Sequence, residues 1–344
     1  MARDRLYLDH AATTPVLPEA QAAIAEALSG WANPSSPHAD GRAARAALEK
    51  ARADIAQALD WRHDVILTSG ASEAIAIVAA RAAAARRLIG ATEHDAVVAA
   101  MGGEAQVIPV DERGRIDLAA LEAALTGEPA LVAVQQVNNE TGVIQPIDEI
   151  AAMVRAAGSL LLADCAQGAG KIPLPNADFI AVSAHKLGGP PGMGALLVRD
   201  IATLAPSGGQ EKGYRRGTEN LPAAAGFAAA LQSRAFVEAM PKLAELRGRL
   251  EEAIDVIGGR VRPEADPDHR AGDFRRNAHR FEHAARFHAP RRAGAARRNG
   301  DAGEVELDQL ARARYAGHGV AADGRDALGP RPDRRTDRLL EPFP

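Results

Sequence analysis

Short, unbroken apolar runs that end on polar residues constrain this chain more than any other feature. Val65-Ile66-Leu67-Thr68, Gln106 to Val110, Ala130 to Val137, Ser159 to Ala163, Phe179 to Val182 and Gly194 to Val198 are such runs, and Leu88-Ile89-Gly90 is a shorter one. Continuous apolar segments of this length read as strands buried on both faces of a sheet. Helical segments fall between most of them, at Leu118 to Leu125 and Ile147 to Ala157, with one opening at Ser72-Glu73 and running to about Arg87. The alternation predicts an α/β fold with a mostly parallel sheet sandwiched by helices. In sheets of that kind ligands bind beyond the carboxyl ends of the strands. The polar residues that follow each run are therefore where chemistry is expected.

Helices are also expected at Pro18 to Leu28, His38 to Leu59, Leu221 to Leu231 and Pro241 to Ile257. Hydrophobic residues make up 47% of the 344, enough for a sizeable core, but much of that is alanine and only 3% of the chain is aromatic. A net charge of -4 gives no reason to expect nucleic acid or a membrane as partner. No apolar run approaches the roughly 20 residues of a membrane span, and the first residues lack the apolar core of a signal peptide. Cys165 is the single cysteine, which excludes an internal disulfide and fits a reducing, cytoplasmic setting. No metal site is indicated.

Lysine is scarce: Lys50, Lys171, Lys186, Lys212 and Lys242 are the full set. Lys186 stands just past a strand, beside His185 and before a Gly/Pro-rich turn. A lysine desolvated at a strand end suits a Schiff base with an aldehyde cofactor. Taken singly it reads more readily as a surface lysine. Ser69-Gly70-Ala71-Ser72, between strand and helix, forms either an ordinary helix start or a phosphate cradle. Asp164 either caps the next segment or sets a carboxylate against a pyridinium nitrogen, with Gln167 three residues on. His94 is by itself more readily structural but could stack on a ring. Asn138 to Gly142 read as a plain turn or as carrying an amide, Asn139, able to bond a phenolic oxygen, and Gly208 to Asn220 form a polar loop able to reach a phosphate. Such features at the ends of successive strands point together to pyridoxal 5'-phosphate.

The series Leu8-Asp9-His10-Ala11-Ala12-Thr13-Thr14-Pro15, Asn33-Pro34-Ser35-Ser36, Thr68 to Ala74, Glu93-His94, Asn138 to Gly142, Asp164-Cys165-Ala166-Gln167, Ser183 to Lys186 and Arg216 to Asn220 resembles the NifS-type cysteine desulfurases. These belong to the class V aminotransferase superfamily of fold-type I enzymes. The resemblance spans roughly residues 6–258. It implies Lys186 as the cofactor-bonded lysine, Asp164 against the ring nitrogen, His94 on the ring, and Asn139 and Gln167 at its substituents. It further implies Ala71, Ser72, Ser183 and His185 at the phosphate, Thr218 from the partner subunit of a homodimer, and Asn33 near the substrate. The implied reaction converts L-cysteine to L-alanine and hands persulfide sulfur to an iron–sulfur scaffold protein, in one branch of the family for nitrogenase metalloclusters. Some positions depart from the family pattern: His10 replaces Asn, Ile75-Ala76 a polar pair, and Leu187-Gly188 an aromatic pair.

The implied division is an N-terminal segment of a smaller α+β domain (1–15), a large cofactor-binding domain (16–240), a connector helix (241–263) and an aberrant Arg-rich region (264–344). Arginine supplies 18 of the last 85 residues and lysine none. That abrupt, aperiodic composition predicts a shifted reading frame from about residue 264 and a disrupted small domain. Neither the persulfide cysteine of the family nor its following arginine is recognisable, and Cys165 reads as a small buried filler. The alternatives are another class V enzyme, a lyase or aminotransferase, or a cofactor-binding protein inactive for want of that cysteine.

Overall fold

In the computed structural model the residues described are 7–30 and 32–256. The C-terminal part of the expected small domain, the end of the connector and the predicted frame change lie outside them, whereas residues 7–15 of that domain's N-terminal segment lie within. The described residues form a seven-stranded sheet. Its strands are β1 (Asp64–Thr68), β2 (Arg86–Gly90), β3 (Gln106–Ile108), β4 (Ala130–Gln135), β5 (Leu160–Asp164), β6 (Phe179–Ser183) and β7 (Gly194–Val198). Their order is β1-β7-β6-β5-β4-β2-β3. Every neighbouring pair is parallel except the two made by β7, which runs antiparallel to both β1 and β6. Six strands therefore end at the same edge.

The unbroken apolar runs arise because both faces of the sheet are covered. Val65, Leu67, Leu88, Ile180 and Val182 face one layer, built from α1 (Pro18–Ser29), α2 (Ala39–Ala58), α5 (Leu118–Ala124), α6 (Ile147–Ala156) and α7 (Leu221–Gln232). Ile66, Ile89, Phe179 and Ala181 face the other, built from α3 (Ala71–Arg81) and α4 (Asp95–Met101). Successive residues alternate between layers, as the pleat requires. Phe179 and Phe227, both wholly buried, are the largest side chains in the two cores.

Two helix boundaries depart from expectation. The helix opening at Ser72 ends at Arg81 rather than near Arg87. Ala82 turns extended and bridges Leu204, and Arg86 and Arg87 enter β2. Tertiary pairing here overrides the high helix propensity of the alanine run. The last helix, α8 (Ala235–Val256), starts six residues before Pro241 and carries that proline inside its second turn. The helix α4 follows His94 without a signal strong enough to be expected; its cap is the His94 ring, whose Nδ1 accepts the Ala96 N–H at 3.1 Å.

One buried ion pair ties the layers together near the site. Glu211, 1% exposed, accepts Arg52 Nη2 at 3.0 Å and the Leu67 N–H of β1 at 2.8 Å. Removing one partner of such a pair strands the other charge in the core. We expect Glu211→Ala to lose roughly 3–5 kcal/mol of unfolding free energy in urea melts. Glu211→Met should lose about as much, because Arg52 still loses its buried partner, and the double variant Arg52→Met/Glu211→Met should recover most of it. Recovery in Glu211→Met alone would show that packing, not charge, is at stake.

Candidate active site

The common strand edge opens into a cavity of about 560 Å³, within the usual range for small-molecule sites. From β1 come Ser69, Gly70, Ala71 and Ser72; from beyond β2, His94; from beyond β4, Asn139 and Glu140; from β5, Asp164 and Gln167; from β6, Ser183, His185 and Lys186. Nine of the residues singled out in the sequence thus line one cavity. Asn33 and Thr218 do not: both are exposed, and the Asn33 side chain is turned to its own loop, accepting the Ser35 N–H at 2.8 Å.

The first turn of α3 is an anion cradle. The Ala71 and Ser72 N–H groups have no hydrogen-bond partner among the described residues, and the helix dipole adds partial positive charge there. The Ser183 hydroxyl lies close by, 3.9 Å from where a Cβ on Gly70 would sit. The antiparallel strand β7 presses up beneath this turn. A Cβ on Gly194 would stand 2.6 Å from Gly70 Cα, so only glycine lets the two backbones meet. Glu73 fixes the turn from the helix side, accepting the Ser69 N–H and the Arg215 guanidinium, the latter at 3.0 Å.

Across the cavity stand a carboxylate and an amine. Asp164 Oδ1 accepts the Ala166 N–H at 2.9 Å, leaving Oδ2 for another partner. Burial raises the Asp164 pKa, while that N–H and the nearby His94 and Lys186 lower it. A cation against Oδ2 would hold this carboxyl ionised. Desolvation lowers the Lys186 pKa, and the negative fields of Asp164 and Glu140 resist the shift. A lysine that loses its proton readily is a nucleophile toward carbonyls. His185 is held from the N-terminal segment: its Nδ1 meets Thr13 Oγ1 at 3.1 Å, and its carbonyl accepts the Thr14 N–H at 2.8 Å. Thr14 Oγ1 accepts the Gly188 N–H at 2.7 Å, and Gln167 Nε2 donates to the Ala11 carbonyl at 2.8 Å. The segment 11–14 is thereby strapped across the mouth of the cavity on both sides of Lys186.

Several groups in or behind the cavity escaped the sequence reading. Asp9, Glu73, Ile75 and Glu140 line it. Behind it Glu93 is 2% exposed, and neither carboxyl oxygen has a hydrogen-bond partner among the described residues. Gly90 makes room for it, since a Cβ there would lie 2.6 Å from Glu93 Oε1. Lys171, with its ammonium 5.9 Å above the Phe236 ring, has its pKa lowered to about 8 by burial and by the Lys186 charge. Only the adjacency of Glu93 to His94 and of Glu140 to Asn139 hinted at those two glutamates.

An amide cradle at a helix start, a carboxylate set apart from it, a flat imidazole and a desolvated amine make a donor set that fits a phosphorylated pyridine aldehyde. The family model for class V aminotransferases matches residues 6–302, and the chain belongs to that family. A cysteine desulfurase of Cereibacter sphaeroides is 36% identical over 286 residues, covering 77% of this chain and 74% of that protein. Among solved structures, a NifS-like protein from Rickettsia africae superposes with a TM-score of 0.66 at 32% identity, covering 73% of this chain and 75% of its own. SspA, solved in complex with cysteine, gives a TM-score of 0.62 at 31% identity over 66% of this chain and 72% of that one. The seven-stranded, mostly parallel sheet with its flanking helices is the fold-type I arrangement of that family. No helix among the described residues is long and apolar enough to cross a membrane.

The buried Glu93 gives a pH signature. Burial raises its pKa well above the ordinary value, and the Asp164 charge adds to the rise. An unfolded glutamate ionises near about pH 4.3, whereas the folded one keeps its proton to higher pH. Above that point the native state binds more protons than the unfolded state, so stability falls as pH rises toward the folded pKa. We expect the melting temperature of Glu93→Gln to gain on the parent progressively as pH is raised from about 4.5 to neutrality. A difference independent of pH would mean that Glu93 does not titrate in this way.

Proposed function

We propose that this chain is a pyridoxal 5'-phosphate-dependent cysteine desulfurase, taking L-cysteine to L-alanine and passing its sulfur toward iron–sulfur cluster assembly. The observation that carries this reading is the placing of a desolvated Lys186 and a buried Asp164 in the same cavity as the open N-terminus of α3. In it the phosphate would rest on the amides of Ala71 and Ser72, with Ser183 and His185 beside it. Asp164 would face the ring nitrogen, His94 a ring face, and Asn139 and Gln167 its substituents. Bound there, the cofactor supplies an electron sink for a substrate Cα bond.

The chain's own groups then have separable tasks. Lys186, whose proton is held less tightly for its desolvation, would hold the cofactor through its aldehyde and would carry a proton near the substrate Cα. Asp164, with Oδ1 already accepting the Ala166 N–H, would face the ring nitrogen and favour its protonated form by its charge. The strap 11–14 restricts water at the mouth of the cavity. Thr218, exposed and outside this cavity, would serve the partner's phosphate in a homodimer, and Asn33 would approach the substrate. An iron–sulfur scaffold protein is the sulfur acceptor in this reading, and the cytoplasm its setting. The segments 1–15, 16–240, 241–263 and 264–344 remain the proposed division of the chain.

The test is direct. On reconstitution with pyridoxal 5'-phosphate the parent chain should show a visible absorbance band that borohydride bleaches, leaving a reduced adduct on Lys186 by mass spectrometry. Lys186→Ala should lose both, and Asp164→Asn should keep the adduct but weaken binding and slow any turnover by about 10²-fold or more. An adduct on another lysine, or none, would sink the reading.

A second reading is favoured by Cys165. It is the only cysteine of the sequence, is 0% exposed, and burial together with Asp164 drives its pKa well up. A thiol so placed is neither accessible nor nucleophilic. The chain as given would then bind its cofactor without forming a persulfide of its own. Alanine release from L-cysteine should require added thiol and persist in Cys165→Ala. Thiol-independent turnover abolished by that substitution would overturn this.

A further inference from the structure

The loop after β4 is shaped by Asn138. Its Nδ2 donates to the Thr92 carbonyl at 3.0 Å, and its Oδ1 accepts the N–H groups of Glu140 and Thr141 at 2.9 and 2.8 Å. At 8% exposure this side chain is a buried frame for the loop. On it stand Asn139, half-buried, and Glu140, exposed, both lining the cavity. Asn139 Nδ2 donates to Glu140 Oε1 at 2.8 Å.

A primary amide carries two N–H donors on one side and a carbonyl on the other, and rotation about its terminal bond exchanges them. An acceptor held beside the nitrogen breaks that ambiguity. With one N–H committed to Glu140, the second is fixed in the amide plane and the carbonyl is turned away. Glu140 is also one of two carboxylates, with Asp164, whose negative field reaches the Lys186 amine. Asp164 is committed to the ring side of the cavity. Glu140 thus bears on the amide by its hydrogen bond and on the amine by its field.

We propose that Glu140 is a positioning residue: its carboxylate, hydrogen-bonded to the Asn139 amide, fixes that amide with a donor toward the cavity it shares with Lys186, setting amide and amine for an ortho-hydroxy aldehyde. This rests on the reading of the cavity as a pyridoxal 5'-phosphate site. Such an aldehyde presents a phenolic oxygen and a carbonyl on adjacent carbons, so it needs a donor and an amine in fixed register. Glu140 supplies neither; it orients one and biases the other.

Equilibrium binding of pyridoxal 5'-phosphate, followed by the visible band, and borohydride trapping on Lys186 across pH separate the two effects. Glu140→Ala should weaken binding by about five- to tenfold, the scale of one ordinary hydrogen bond. Glu140→Gln, which still offers an acceptor to Asn139, should restore affinity to near the parent's. Asn139→Ala should resemble Glu140→Ala, and the double variant should be no weaker than Asn139→Ala alone. Both Glu140 variants should shift the onset of trapping to lower pH, because the field that favours the Lys186 ammonium is lost. Parent-like binding by Glu140→Ala, additive losses in the double variant, or unshifted trapping would each overturn the proposal. Failure of the underlying site would look different: the parent chain itself would show no adduct on Lys186.

Discussion

The structure depends on a sheet that has no dry place for a polar side chain except at its ends. Both faces are covered by helices, and the strands β4, β6 and β7 are buried along their whole length. A charged group within such a strand would forfeit its hydration with nothing in return. The groups that can do chemistry are therefore displaced to the residues just past each strand. Because six of the seven strands end at one edge, that displacement gathers them. The cavity is a consequence of how the core is insulated.

Insulation also sets the electrostatics. The groups at this edge are close enough to the core to be desolvated and close enough together to feel one another. Burial drives Glu93 and Cys165 toward their neutral forms. Lys186 is pushed the same way, held back by Asp164 and Glu140. The cavity separates groups kept neutral behind it from groups kept ready to ionise within it, and that separation is what acid–base chemistry at neutral pH requires. The N-terminal strap strengthens it by covering one side of the mouth with the backbone of residues 11–14, pinned through His185 and Gly188.

Local signals were reliable where a residue's role follows from its own type and neighbours. The apolar runs marked the strands to within a few residues. Pro18 marked a helix start, and the polar residues after each run marked the cavity's rim. Signals failed where a distant partner decides. The alanines after Arg81 look helical, yet Ala82 is drawn into a bridge with Leu204, more than a hundred residues away. The short helix after His94 depends on an imidazole acting as a cap, a role no composition rule assigns to histidine. Glu211 reads as a loop glutamate, but Arg52 and the Leu67 amide bury it.

By itself the sequence determined that the chain would build an insulated, mostly parallel sheet with lysine, aspartate and a phosphate-type turn at its strand ends, because hydrophobic continuity and strand–helix alternation are properties of neighbouring residues. Its motif order carried the likeness to the desulfurases for the same reason. Tertiary structure alone decided that Asn33 and Thr218 stand outside a single chain's cavity, that Glu93 is sealed behind it without a hydrogen-bond partner among the described residues, and that Glu140 accepts from Asn139 at the mouth. Those are facts about solvent and distance. Burial and approach come into being only when strands remote in the chain are laid side by side.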